Sequence, residues 1–154
     1  MKQNAYKALV HPLAEYASPV WDPYHQTEID RIEMVQRRAA RYVTYIQNNR
    51  SRVNQMLEHL EWKSLAQRRK VARQTMMYKI TKEKVAIPKE GRLIPPERLS
   101  INMHDKSFQI PLAASDCRKY SFCSRTIRDW YAIPPGIVTT PSVEAFKATL
   151  TKLN

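Results

Sequence analysis

Arg37, Arg38 and Arg41 recur at steps of one and three residues, and Arg68, Arg69, Lys70 and Arg73 repeat the pattern. Placed on helices, such clusters can make forked guanidinium contacts with phosphate oxygens, for which arginine is better suited than lysine. Tyr42, Tyr45, Trp62 and Tyr78 are interleaved with them. Rings beside arginine can stack on unpaired bases, although at helical spacing they also serve as core. From Arg31 to Lys84 there are 14 basic and 4 acidic side chains, a local excess of +10, against 12 and 10 elsewhere. Folding has little use for this excess, because surface ion pairs contribute only ~0–1 kcal/mol and like charges repel. The simplest expected partner is a polyanion, RNA, DNA or an RNA–DNA hybrid, held by its backbone. The alternatives are a solvated helical face, or a face covering an acidic part of a larger polypeptide.

Other chemistry is thinly equipped. Metal-assisted phosphoryl transfer needs carboxylates converging on two ions. Asp22, Asp30, Asp105, Asp116 and Asp129 are scattered, with no adjacent pair. Glu58, His59 and Glu61 read as a solvent-facing helix end. Cys117 and Cys123 are six apart, with His104 the nearest histidine, which is not the close four-ligand pattern of a structural zinc site. No Ser–His or Cys–His spacing carries information, since triads assemble in space. The expectation is therefore a protein without catalysis, cofactor, metal or small-molecule substrate.

The elements that must position these residues read as mostly α. Of 154 residues, 43% are hydrophobic, 10 are Pro and only 2 are Gly, Gly91 and Gly136. So few glycines exclude phosphate-cradling loops and turn-dense sandwiches. No apolar run is long enough to span a membrane, and the first residues lack a signal-peptide core. Two cysteines make no disulfide scaffold, so a reducing intracellular compartment, nucleus or cytoplasm, is expected. A small bundle of about four helices is expected in 1–84. The first covers 3–17 with Tyr6, Leu9, Val10, Leu13 and Ala17 on one side, and Pro12 as an awkward interior residue. Residues 18–26 should be extended around Pro19 and Pro23. The second helix spans 28–46, capped by Thr27, with Ile29, Ile32, Val35, Ala39, Val43 and Ile46 inward. Asn48 and Asn49 end it. A short helix follows Ser51 over 52–60, with Val53, Met56, Leu57 and Leu60 inward. The fourth spans 65–82, opened by a Ser64–Gln67 capping box, with Leu65, Ala72, Met76 and Ile80 inward. Residues 85–118 read as an irregular Pro-containing linker. Residues 119–154 form a short helical extension, with helices at 120–131 and from Ser142 onward, the latter burying Val143, Phe146 and Leu150.

Several blocks, taken in order, resemble a known family. They are Tyr6-Lys7-Ala8-Leu9-Val10-His11-Pro12, Glu15-Tyr16-Ala17-Ser18-Pro19-Val20-Trp21-Asp22-Pro23, and Glu33-Met34-Val35-Gln36-Arg37-Arg38-Ala39-Ala40-Arg41-Tyr42-Val43. Further on come Leu60-Glu61-Trp62-Lys63-Ser64-Leu65-Ala66-Gln67-Arg68-Arg69, then Met76 with Tyr78-Lys79-Ile80, Tyr120-Ser121-Phe122, and Arg125-Thr126-Ile127-Arg128-Asp129-Trp130. Pro141, Ser142, Phe146 and Lys147 close the series. This pattern resembles the segment after the polymerase core in reverse transcriptases of non-LTR retrotransposons, the jockey-like and CR1-like LINE elements. His11, Ala14, Cys123, Ser124 and Tyr131 depart from the residues usual there. The resemblance implies a thumb-like helical piece plus the carboxy-terminal tail, lying downstream of the catalytic palm and its Asp-Asp motif. It implies a parent RNA-directed DNA polymerase, helices that hold template–primer by its backbone, and the upstream polymerase domain as a further partner. A remnant without present activity is the remaining alternative.

Overall fold

The computed structural model describes residues 1–45, 53–89, 91–98 and 107–153. Expectations placed on Ile46, Asn48, Asn49, Ser51, Arg52, His104 and Asp105 lie outside the described residues. The described residues are mostly helical and contain no strand. The chain divides into two compact units, Met1–Lys70 and Val71–Asn154. The division therefore falls inside a helix rather than at residue 84.

In the first unit, α1 (Lys2–Ala5), a π turn (Tyr6–Val10) and α2 (His11–Glu15) form one helical run. The π turn has a local cause. Pro12 would clash with the carbonyl four residues back in a regular helix. Widening the preceding turn, with the His11 N–H donating to the Tyr6 carbonyl, accommodates it. The expected apolar side does not face inward: Tyr6 is buried, whereas Leu9, Val10 and Leu13 are exposed. Ala17 then takes a left-handed conformation, and Ser18–Trp21 form a single turn, α3. The extended reading fails there because Pro19 occupies the first turn, where its missing N–H is unneeded. It holds at Asp22, which precedes Pro23 with extended backbone.

Helix α4 (Gln26–Thr44) starts two residues earlier than expected, after His25 rather than Thr27. Its buried residues are Glu33, Gln36 and Ala40, while Val35 is exposed. The core side is thus rotated away from the most apolar stripe, because two polar side chains are drawn inward by backbone partners. Ala66 N–H donates to Glu33 Oε1 at 2.6 Å, and Gln36 Nε2 donates to the Lys63 carbonyl at 3.0 Å. Both partners lie at the start of α6 (Leu65–Thr81), so α4 satisfies one of that helix's otherwise orphan donors and holds the carbonyl just before it. Ser64 supplies the expected cap, its Oγ accepting from Gln67 N–H at 3.2 Å. Between them α5 (Val53–His59) buries Val53 and Met56. It closes with Trp62 N–H on the Leu57 carbonyl and Glu61 in the left-handed region usually given to glycine. Tyr6 and Trp62 stack at 4.4 Å in a small core with Ala40 and Met56.

The second unit takes over α6 from Val71. Here α6 is buried on nearly every side: Met77 and Tyr78 are fully enclosed, and Ala72 and Met76 only half. Its core also holds Ile127 and Trp130 of α8 (Phe122–Tyr131), which follows the short α7 (Asp116–Lys119). Val138 of α9 (Pro135–Val138) and Phe146 and Leu150 of α10 (Val143–Leu153) complete it. Ser142 caps α10 by accepting from Ala145 N–H at 3.0 Å, and Val143 is half-buried. Among its described residues the 85–118 segment is irregular until α7, yet it is not a free linker. Leu93 is buried in the core, Val85, Phe108 and Ile110 pack on it, and the Tyr131 hydroxyl donates to the Phe108 carbonyl.

Two measurements check this packing. Ser64→Ala should cost about 1 kcal/mol in urea unfolding, the usual effect of losing a helix cap. Burial, and secondarily Glu15 and Glu33, push the Tyr6 phenol from its ordinary value near 10 up to about 12. The folded state thus holds this proton more tightly than the unfolded chain. That contribution is complete below pH 10 and disappears as pH rises from 10 to 12. Wild type should therefore lose more stability than Tyr6→Phe across that window.

Candidate nucleic-acid interface

The seven basic residues singled out by the sequence do not share one environment. Arg69 of α6 is inside the first unit. Its Nε lies 2.6 Å from Asp22 Oδ1, with the two side chains 0% and 4% exposed. Trp21 covers the guanidinium at 5.9 Å. Arg73 is buried in the second unit, with Nη2 2.8 Å from Asp129 Oδ2. Gln74 Nε2 donates to the Asp129 carbonyl at 3.2 Å. Burial lowers the pKa of both guanidinium groups, and for Arg73 the hydrogen bond it donates to Asp129 opposes it. Arg68 grips Glu15 with both Nε and Nη2, the latter at 2.9 Å. His11 Nε2 approaches the same carboxylate at 3.2 Å. Lys70 is half-buried.

These placements correct the reading of α6 as a phosphate-gripping helix. Arg69 and Arg73 are enclosed, and a buried guanidinium cannot meet a phosphate strand without unfolding its surroundings. Arg68 already has a bidentate partner. The expectation went astray through its window. Glu15, Asp22 and Asp129 all lie outside the 31–84 segment over which charge was counted. A local count cannot see an acid 47 or 56 residues away in sequence. The one available signal was weak: Asp22 lies between Trp21 and Pro23, an apolar setting for a carboxylate.

Helix α4 is different. Arg37 and Arg38 are exposed and Arg41 is half-exposed. Among the described residues none of the three meets a carboxylate, whereas the neighbouring Arg31 pairs with Glu28 at 2.9 Å. Arg38 follows Gln36 by two residues, roughly 200° around the helix. It therefore points away from the α6 start that Gln36 and Glu33 hold. The α4 arginines and Arg69 consequently do not combine into one surface. Instead, Arg37, Arg38 and Arg41 neighbour Tyr42 and Tyr45, which are 64% and 76% exposed. Lys2 Nζ sits 4.1 Å from the Tyr42 ring centre and 3.5 Å from that of Tyr45. Of the four aromatics flagged beside the basic residues, these two are on the surface, while Trp62 and Tyr78 are core.

Among the described residues no group of His, Cys, Asp and Glu could hold a metal ion, and no helix is long and apolar enough to cross a membrane. Cys117 is exposed and Cys123 half-buried, both as free thiols. No protein-family model, curated protein or solved structure matches the chain.

The division of labour among the arginines is testable by equilibrium unfolding. Arg69→Met should destabilise the protein by about 3–5 kcal/mol, since it leaves the Asp22 charge buried without its cation. Arg37→Gln should change stability by no more than about 0.5 kcal/mol, as for an unpaired surface residue.

Proposed function

We propose that the first unit binds the sugar–phosphate backbone of RNA, DNA or an RNA–DNA hybrid through Arg37, Arg38 and Arg41 on α4. The observation that carries this reading is three arginines on a solvent-facing side, uncompensated by carboxylates among the described residues and bordered by two exposed tyrosines. Guanidinium groups supply sequence-independent phosphate contacts, and exposed rings can stack on bases where the strand is single. The chain's resemblance to the segment after the polymerase core of non-LTR retrotransposon reverse transcriptases agrees with this role. On that view the chain is a non-catalytic fragment that holds template–primer and does not extend it. Two free thiols suit a reducing compartment, nucleus or cytoplasm.

A second reading, docking on another protein domain such as an upstream polymerase core, is favoured by one specific feature. Leu9, Leu13, Tyr16 and Val20 are 68%, 77%, 80% and 86% exposed. So many large apolar side chains within 12 residues are more than a scatter of single exposures.

Binding of a labelled RNA–DNA hybrid at low salt separates the two. Three phosphate contacts predict a log–log salt slope of about −3. Arg37→Glu with Arg38→Glu should weaken binding at least tenfold for every sequence tested, with the fold intact by circular dichroism. Absence of hybrid binding by folded protein, or binding indifferent to that substitution, would leave the docking reading in its place. Incorporation of nucleotides on a primed template would overturn the non-catalytic assignment.

A further inference from the structure

Two exposed tyrosines close the solvent-facing side of α4, and one lysine holds them both. Successive residues of a helix turn by about 100°, so Arg37, Arg41, Tyr45, Arg38 and Tyr42 fall in that angular order within an arc of roughly 140°. The buried Glu33, Gln36 and Ala40 lie on the other side. The arc is also graded along the axis. Arg38 precedes Tyr42, and Arg41 precedes Tyr45, by four residues. Each of these arginines therefore neighbours a ring about 6 Å further along the helix.

The rings are not loose. The Lys2 ammonium, brought by α1, lies within 4.1 Å of both ring centres and donates to the Tyr42 carbonyl at 3.5 Å. A cation at the C-terminal end of a helix is favoured by the dipole, and one over an aromatic face by the ring quadrupole. Lys2 is thereby committed to the end of α4 and takes one face of each ring. Tyr42 and Tyr45 nonetheless remain mostly exposed, which leaves ring surface open to solvent. Neither ring belongs to a hydrophobic core among the described residues.

The neighbours of the rings define what they can meet. Lys2 offsets the negative end of the α4 dipole, so the excess positive charge lies a turn earlier, on the arginines. A neutral, planar group carried on a phosphate backbone matches that order of charges, and a nucleobase is such a group. In a duplex the base faces are stacked on one another and are closed to rings on a convex helix. In a single strand they are open, and every base has a face to offer. Resting on the backbone-binding role of the α4 arginines, we propose that this surface is a single-strand site. Arg37, Arg38 and Arg41 hold phosphates, Tyr42 and Tyr45 stack on unpaired bases of any sequence, and Lys2 is a positioning residue that pins the two rings.

Titration of the intact protein with a labelled oligothymidylate, an abasic strand of equal length and an RNA–DNA hybrid tests it. The abasic strand keeps the phosphates and lacks the bases. Oligothymidylate should bind at least about fivefold more tightly than the abasic strand, since stacking on an aromatic side chain is worth roughly five- to 150-fold per base. Tyr42→Ala with Tyr45→Ala should abolish that difference while leaving abasic and hybrid binding within about twofold of wild type, with the fold intact by circular dichroism. Tyr42→Phe with Tyr45→Phe keeps the rings and should retain it. Lys2→Gln should weaken oligothymidylate binding about threefold, with the salt slope and abasic-strand affinity unchanged, and Lys2→Arg should restore it. A Lys2→Gln loss shared by the abasic strand, with a log–log salt slope flatter by about 0.7, would make Lys2 a phosphate contact and overturn its positioning role. Equal affinity for oligothymidylate and the abasic strand, or wild-type oligothymidylate binding by the double alanine variant, would overturn the stacking site and leave the backbone-binding reading standing. Binding to none of the three probes would overturn both.

Discussion

Arg69 and Arg73 stand four residues apart on α6, and each is buried against a carboxylate delivered from a remote part of the chain, Asp22 enclosed with it and Asp129 partly exposed. Asp22 comes from the turn after α3 and serves the first unit; Asp129 comes from α8 and serves the second. Removing two charges from water costs several kcal/mol per ion, which their mutual attraction only roughly offsets. Such pairs therefore add little net stability compared with well-packed apolar residues. What they do is penalise every arrangement in which one partner is buried alone. Any register of α6 that exposed Asp22 or Asp129 to a different neighbour would strand a guanidinium in the interior. The pairs thereby select one rotation of α6 within each unit.

The start of the same helix is governed by similar logic on a smaller scale. Glu33 and Gln36 are buried because the backbone around Lys63 and Ala66 needs an acceptor and offers one. Ser64 takes a further amide. Hydrogen bonds to a charged group contribute more than neutral ones, so the Glu33 contact helps to hold α4 in the rotation that leaves Val35 outward. That rotation decides which side of α4 faces water. Arg37, Arg38 and Arg41 are solvent-facing because Glu33, Gln36 and Ala40 are not. The proposed backbone-binding surface is in this sense a consequence of how α6 is capped.

Much of the secondary structure was legible in the residues. The Ser64–Gln67 spacing marked the start of α6, and its 65–82 expectation differs from Leu65–Thr81 by one residue. Phe146 and Leu150 were read as buried on α10 and are. The N-terminal stripe of Leu9, Val10 and Leu13 misled, because amphipathic spacing records that a face exists without saying what covers it. The 85–118 segment misled in the opposite sense. Its prolines report irregular backbone correctly, but Leu93, Phe108 and Ile110 make that irregular backbone part of a core.

By itself the sequence determined that the chain is helical, strongly cationic and poor in glycine, because these follow from residue type and from spacing within a few turns. It also determined where α6 and α10 begin, since capping is chemistry between residues three or four apart. Tertiary structure alone decided which arginines remain available to a partner. A guanidinium on α6 is free or enclosed according to whether a carboxylate some fifty residues away returns to it, and no local pattern encodes that return. For the same reason only the folded chain brings Tyr6, Gln36 and Trp62, 56 residues apart at the extremes, around one cavity.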